Sequence, residues 1–226
     1  MSLLLSIILG IGQANAYYND SRVKIAVIDS GLNVSPELKP YLCASGHTSL
    51  VDGNPMKDST TTQHGTNVVG LITKGLDSSK YCVIIIKFYS PTYQGSNKQD
   101  KIADSVAHAL IYKARYINIS ATGKGYLGYE ARALKVALAS GATIAVAAGN
   151  EHLDLNKKCN TYPACYAALL NSKRFHVVGS YSGEFSNQGF IVTHKENGVF
   201  VGIPPLTGTS QSTAVHLNKV LRGECD

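Results

Sequence analysis

The chain has 226 residues, 44% of them hydrophobic and 16% charged, with 21 glycines against 7 prolines. That length and apolar content suffice for one globular domain with a sizeable core and exclude collagen-like, coiled-coil and low-complexity classes. The formal net charge of +6 comes from scattered basic residues with only short clusters such as Lys157-Lys158, which points to a solvated surface and away from nucleic acid as a partner.

Residues 3–11 form a short apolar core, and Ala14-Asn15-Ala16 follows as a small-x-small cleavage site. Residues 1–16 therefore read as a secretory signal peptide, too short for stable membrane insertion. Residues 17–226 read as a single domain delivered to a secreted or periplasmic, oxidising compartment. Five cysteines then permit at most two internal disulfides. Cys159 and Cys165 are the closest pair, and the remaining connectivity stays open. No zinc-type Cys/His spacing appears, and no metal site is expected.

Residues 23–28 are β-branched and almost wholly apolar, the pattern of a strand buried on both faces of a parallel sheet. They end in Asp29-Ser30-Gly31. Residues 42–51 hold a short strand, and Asp52-Gly53-Asn54-Pro55 is a turn. His64 opens a helical segment that continues to residue 72. A second buried strand covers 81–88, and residues 89–99 are a polar loop. An amphipathic helix spans 100–113, with Ile102, Val106 and Leu110 on one stripe. A strand at 115–120, a helix at 128–140 stopped by Gly141, and a strand at 142–148 follow. That last strand ends in Gly149-Asn150-Glu151. Residues 159–166 are a loop, and shorter strands are expected at 174–179 and 199–203. Strands alternating with helices predict an α/β fold with a mostly parallel sheet.

The C-terminal part presents Gly208-Thr209-Ser210 just before a helical run over 211–221. A serine at a helix N-terminus has free backbone N–H groups beside it, which suits a nucleophile whose reaction creates an oxyanion. Taken alone, Ser210 is an ordinary cap, His64 one histidine of seven, and Asp29 a turn residue. Together, a hydroxyl, an imidazole, a carboxylate and a carboxamide at element ends are the parts of a nucleophilic hydrolase.

Four segments carry a resemblance: Val27-Ile28-Asp29-Ser30-Gly31, His64-Gly65-Thr66-Asn67-Val68-Val69-Gly70, Ala147-Ala148-Gly149-Asn150-Glu151 and Gly208-Thr209-Ser210. In this order they resemble the motifs of subtilisin-like serine proteases, over residues 23–220. The resemblance implies a three-layer α/β sandwich with a mostly parallel central sheet flanked by helices. It implies Asp29, His64 and Ser210 as catalytic residues and Asn150 as oxyanion donor. It further implies a polypeptide substrate lying along 117–123, against Ser120, Ala121, Thr122 and Gly123, with Ala148 and Gly149 beside it. The chemistry requires no cofactor. Structural calcium is common in the family, and no ligand set for it is legible here.

The sequence also departs from the pattern. Gln211, Ser212 and Ala214 stand where the family has Met-Ala and a proline, which puts a polar group at an apolar packing position. Ala121-Thr122-Gly123 replaces Leu-Gly-Gly. Little room for a pro-segment lies between Ala16 and residue 23, and the tail after Ser210 is short for the family. The alternative function is an inactive binding or structural protein on the same fold. A different serine hydrolase would want a G-x-S-x-G elbow, and Gly208-Thr209-Ser210-Gln211-Ser212 lacks the second glycine.

Overall fold

The computed structural model describes residues 20–94 and 100–225. The segment read as a signal peptide lies outside them. Seven strands form one parallel sheet in the order β2-β3-β1-β4-β5-β6-β7. The strands are β1 (Val23–Asp29), β2 (Thr48–Ser49), β3 (Tyr81–Lys87), β4 (Tyr116–Ile119), β5 (Thr143–Ala147), β6 (Phe175–Ser180) and β7 (His194–Glu196). The helices are α1 (His64–Thr73), α2 (Asp100–Ile111), α3 (Gly128–Ala139), the single turn α4 (Ala167–Leu170) and α5 (Thr209–Leu221).

Side chains alternate along each strand, so a parallel sheet feeds two cores. From β1, Ile25 and Val27 pack with Val68, Ile72, Leu217 and other residues of α1 and α5. Ala26 and Ile28 point to the other face, where Val106 of α2 and Leu134 of α3 cover them. The result is the expected three-layer α/β sandwich. Burial of Ile25, Val27 and Ile28 of β1 and of Val83, Ile84, Ile85 and Ile86 of β3 contributes about 1.5–3 kcal/mol for each side chain. Among the described residues no helix is long and apolar enough to cross a membrane.

Strand order reverses around β1. The chain goes from β1 out to the edge strand β2, returns to β3 beside β1, and then crosses to β4, β5, β6 and β7 on the other side. The crevice at such a reversal, beyond the carboxyl ends of the strands, is where open α/β sheets hold ligands. Asp29 at the end of β1 and Ser120 just after β4 meet there.

Two expected strands differ. The one expected over 42–51 shrinks to β2, two residues paired with Ile86 and Lys87. Residues 199–203 form no strand. Val201 and Leu206 exchange backbone hydrogen bonds of 3.0 Å and close a turn containing Pro204-Pro205, which have no N–H to give a ladder. The edge position belongs to the polar segment His194–Glu196, which pairs with β6 alone. The expected loop at 159–166 ends in a 3-10 turn, Ala164–Tyr166, that leads into α4.

Cys159 and Cys165 form a disulfide as their proximity suggested, and Cys43 pairs with Cys82, tying the segment before β2 to β3. Cys225 takes part in neither bridge.

Candidate active site

Asp29 is 5% exposed at the end of β1. Its Oδ1 accepts the backbone N–H of Ser30 at 2.7 Å and lies 2.8 Å from His64 Nδ1. Close approach of two backbones makes this contact possible. Gly31 takes a left-handed φ of +109°, and a Cβ on Gly65 would collide with the Gly31 carbonyl. Glycine at both positions lets α1 begin directly against the end of β1.

The start of α1 is held from outside the helix. The His64 N–H donates to Thr60 Oγ1 (2.8 Å), the Gly65 N–H to Ser30 Oγ (3.0 Å) and the Thr66 N–H to Asp58 Oδ2 (2.9 Å). These acceptors satisfy three of the donors that a helix N-terminus leaves open. Asp58 is 7% exposed and also accepts the hydroxyls of Ser30 (2.8 Å), Thr60 (2.8 Å) and Thr66 (2.9 Å) and the Thr60 N–H (3.0 Å). Burial, the largest influence on this carboxyl, raises its pKa, but the donors from Thr66, Thr60 and Ser30 together hold it below the ordinary value. The His64 imidazole is pushed above its ordinary value. The negative charge of Asp29 is the main cause; burial opposes it, and the Asp29 hydrogen bond and the Asp58 charge add to it.

Ser210 is the second residue of α5 and only 8% exposed. Its hydroxyl donates to the Ser120 carbonyl at 3.1 Å, and the Ser120 hydroxyl donates to the Ser210 carbonyl at 3.1 Å. This reciprocal pair fastens the start of α5 to the end of β4. Among the described residues no hydrogen bond joins Ser210 to His64. Asn150 Oδ1 accepts the Thr209 N–H at 2.8 Å, and the Gly149 N–H donates to Thr209 Oγ1 at 3.1 Å. With its oxygen engaged, the Asn150 amide keeps its NH₂ as donor. Gly149 has φ +102°, and a Cβ there would collide with the Asn187 amide. That amide donates to the Ala148 carbonyl at 2.9 Å, while its oxygen accepts the Leu153 N–H at 2.8 Å. Asn187 thus sets the turn that presents Asn150.

Gln211 is buried, and its side chain finds a partner. Nε2 donates to Asn67 Oδ1 at 3.1 Å, and Asn67 Nδ2 donates onward to the carbonyls of Val201 (3.0 Å) and Pro204 (2.6 Å). The polar group that breaks the family pattern is therefore satisfied by a second polar residue on α1.

A cleft of about 460 Å³ opens beside the Asp29–His64 pair. Phe88, Tyr89 and Ile102 line it together with Ser120, Ala121, Thr122 and Gly123. Ala148, Gly149 and Asn150 sit beside the first turn of α5 instead. Every site residue expected from sequence lies at the carboxyl edge of β1, β4 and β5 or at the start of α1 or α5. Sequence reasoning gave no role to Ser30 and Thr66, although both stand in the motifs quoted above, nor to Asn187, and it missed Asp58 and Thr60 altogether. For Asp58 and Thr60 the local signal was the capping-type run Asp58-Ser59-Thr60 just ahead of α1.

A model of the subtilase family matches residues 20–215. An intracellular serine protease of Paenibacillus polymyxa is 29% identical over 189 residues, which cover 77% of this chain and 57% of that protein. Subtilisin amylosacchariticus of Bacillus subtilis subsp. amylosacchariticus is 31% identical over 163 residues, covering 68% of this chain and 41% of that protein. The chain thus spans about half the length of these relatives. The crystal structure of a lanthipeptide protease shares the fold with a TM-score of 0.72 and 20% identity, covering 93% of this chain and 75% of that one.

Proposed function

Because the chain belongs to the subtilase family, we propose that it is a serine endopeptidase that hydrolyses polypeptides, with Ser210 as nucleophile and His64 as general base. The observation that carries the reading is the 2.8 Å contact between His64 Nδ1 and the buried Asp29. It fixes the proton on Nδ1 and leaves the Nε2 lone pair as base, at the sheet edge where α5 presents Ser210.

A peptide lying along 120–123 adds a strand to this edge through main-chain hydrogen bonds. The Ser210 hydroxyl leaves the Ser120 carbonyl, turns about its Cα–Cβ bond and gives its proton to His64 Nε2 as Oγ bonds to the scissile carbonyl carbon. Asp29 stabilises the imidazolium. The oxyanion receives the Asn150 NH₂ and the Ser210 N–H, which lies in the first turn of α5. Collapse breaks the C–N bond, and the leaving amine takes the proton from His64. Water then attacks the acyl-enzyme ester and gives a proton to His64; the acyl C–Oγ bond breaks, Ser210 Oγ takes that proton back, and the acid product leaves. No cofactor enters these steps. The two disulfides and the apolar N-terminal segment support a secreted or periplasmic location.

Hydrolysis of internally quenched peptides tests the reading. Purified chain is expected to cleave them, Ser210→Ala to lower kcat by about 10⁶-fold, and Asn150→Ala by about 10²–10³-fold, the loss seen for such a donor in subtilisin. A folded chain with no cleavage that Ser210→Ala removes would contradict the reading and favour a binding protein on this fold.

A further inference from the structure

Three histidines unconnected with this chemistry meet on the α5 face of the sheet. His176 is the second residue of β6, His194 the first of β7, and His216 lies within α5. One ring nitrogen of each lies within 4.8 Å of the other two. Ring centroids are 4.2 Å apart for His194–His216 and 4.7 Å for His176–His194. His176 and His216 are 3% and 1% exposed, and His194 is half-buried.

The outer nitrogens have partners that aim the inner ones. His176 Nε2 lies 2.9 Å from the Lys173 carbonyl, so it carries the proton and Nδ1 keeps its lone pair. His194 Nδ1 lies 2.8 Å from Thr193 Oγ1. His216 Nδ1 faces Cys225 Sγ at 3.8 Å, and its Nε2 stands 2.8 Å from His176 Nδ1. Outer-nitrogen contacts of this kind orient metal-bound imidazoles. The nearby Lys219 ammonium is engaged by Glu196 at 2.7 Å.

We propose that His176, His194 and His216 bind one divalent transition-metal ion, with zinc the best fit. Imidazole nitrogens suit zinc, copper and nickel, whereas calcium takes oxygen ligands. Zn–N bonds of about 2.0–2.1 Å at tetrahedral angles put ligand nitrogens about 3.3 Å apart. The His176–His216 pair therefore opens by about half an ångström and the His194 ring moves inward. The ion ties α5 to β6 and the edge strand β7. His216 follows Ser210 by six residues, about 9 Å along the helix axis. Metal at this position holds the helix that presents the nucleophile without touching the substrate. Ligands drawn from three separate elements leave no local Cys/His spacing, so nothing in the linear pattern marks the site.

The full chain, stripped with a chelator, is titrated with zinc chloride alone by calorimetry, and its melting temperature is followed with and without zinc. One zinc per chain and a rise in melting temperature are expected. His194→Gln, at the least buried ligand, should weaken binding at least about 100-fold and abolish the thermal shift, while His64→Gln retains both. Absence of saturable binding, or equal binding by His194→Gln, would overturn the proposal. Should His194→Gln fail to fold, cobalt(II) added to the unaltered chain decides. Intense visible bands of tetrahedral nitrogen ligation are expected, and their absence counts against the site.

Discussion

Asp58→Asn is the substitution that probes most directly how α1 holds His64. The change is isosteric. With its oxygen turned to Ser30 and Thr60, the new amide presents NH₂ to the Thr66 N–H, which donates to Asp58 at 2.9 Å in the native chain. A buried N–H left without an acceptor costs about 1–3 kcal/mol. Removing a carboxylate from a helix N-terminus adds about 0.3–1 kcal/mol. The sum, about 1.3–4 kcal/mol, corresponds to a fall in melting temperature of roughly 3–16 °C for a chain of this size. Scanning calorimetry at neutral pH reads it. Because the folded Asp58 carboxyl titrates below its ordinary value of 3.8, its contribution is complete above that pH and is lost as pH falls through the folded value. The gap between native and variant chains therefore closes in acid. The Asp58 charge also helps raise the His64 pKa, so the acid limb of kcat/KM should move to lower pH in the variant. A melting temperature within a degree of native, together with an unmoved acid limb, would refute this account of the site.

Three further outcomes follow from buried polar groups and cross-links. Burial pushes the Glu130 carboxyl up to about 7 from 4.5, against a Tyr166 hydroxyl at 3.2 Å. Between those values the folded chain keeps a proton the unfolded chain has lost, so stability falls as pH rises through the window. Glu130→Gln escapes this loss, and its advantage in unfolding free energy, read by urea denaturation, should grow from pH 4.5 to 7 and amount to about 3 kcal/mol above it. Gln211→Leu strands the buried Asn67 Oδ1 and should cost about 1–3 kcal/mol in urea denaturation. Replacing Cys43 and Cys82 by serine releases a loop closed over 39 residues, against 6 for Cys159 and Cys165. Chain entropy then predicts losses of about 4 and about 2 kcal/mol in turn, measured by the same denaturation.

The central strands were legible because burial on both faces forces a continuous β-branched run, as in Ile25, Val27 and Ile28 or Ile84, Ile85 and Ile86. Edge elements obey a weaker rule. β7 pairs on one side only and consists of His194, Lys195 and Glu196, while the apolar run that looked like a strand leaves Phe200 79% and Ile203 89% exposed in a turn. The placement of Asp29, His64, Asn150 and Ser210 could be read because each lies at or just beyond the end of a strand or at the start of a helix. Asp58 could not, since its meaning depends on Ser30 and Thr66 reaching it from other segments. Gln211 read as a packing fault until Asn67 was seen to receive it. Pairings of this kind exist only after folding.

The most direct test of Ser210 and His64 as nucleophile and base is reaction of the purified chain with a fluorophosphonate, followed by mass spectrometry of its peptides. A single adduct on Ser210, absent from Ser210→Ala and reduced by orders of magnitude in His64→Ala, is the predicted result. A folded chain that stays unlabelled, or is labelled equally well without His64, would contradict it.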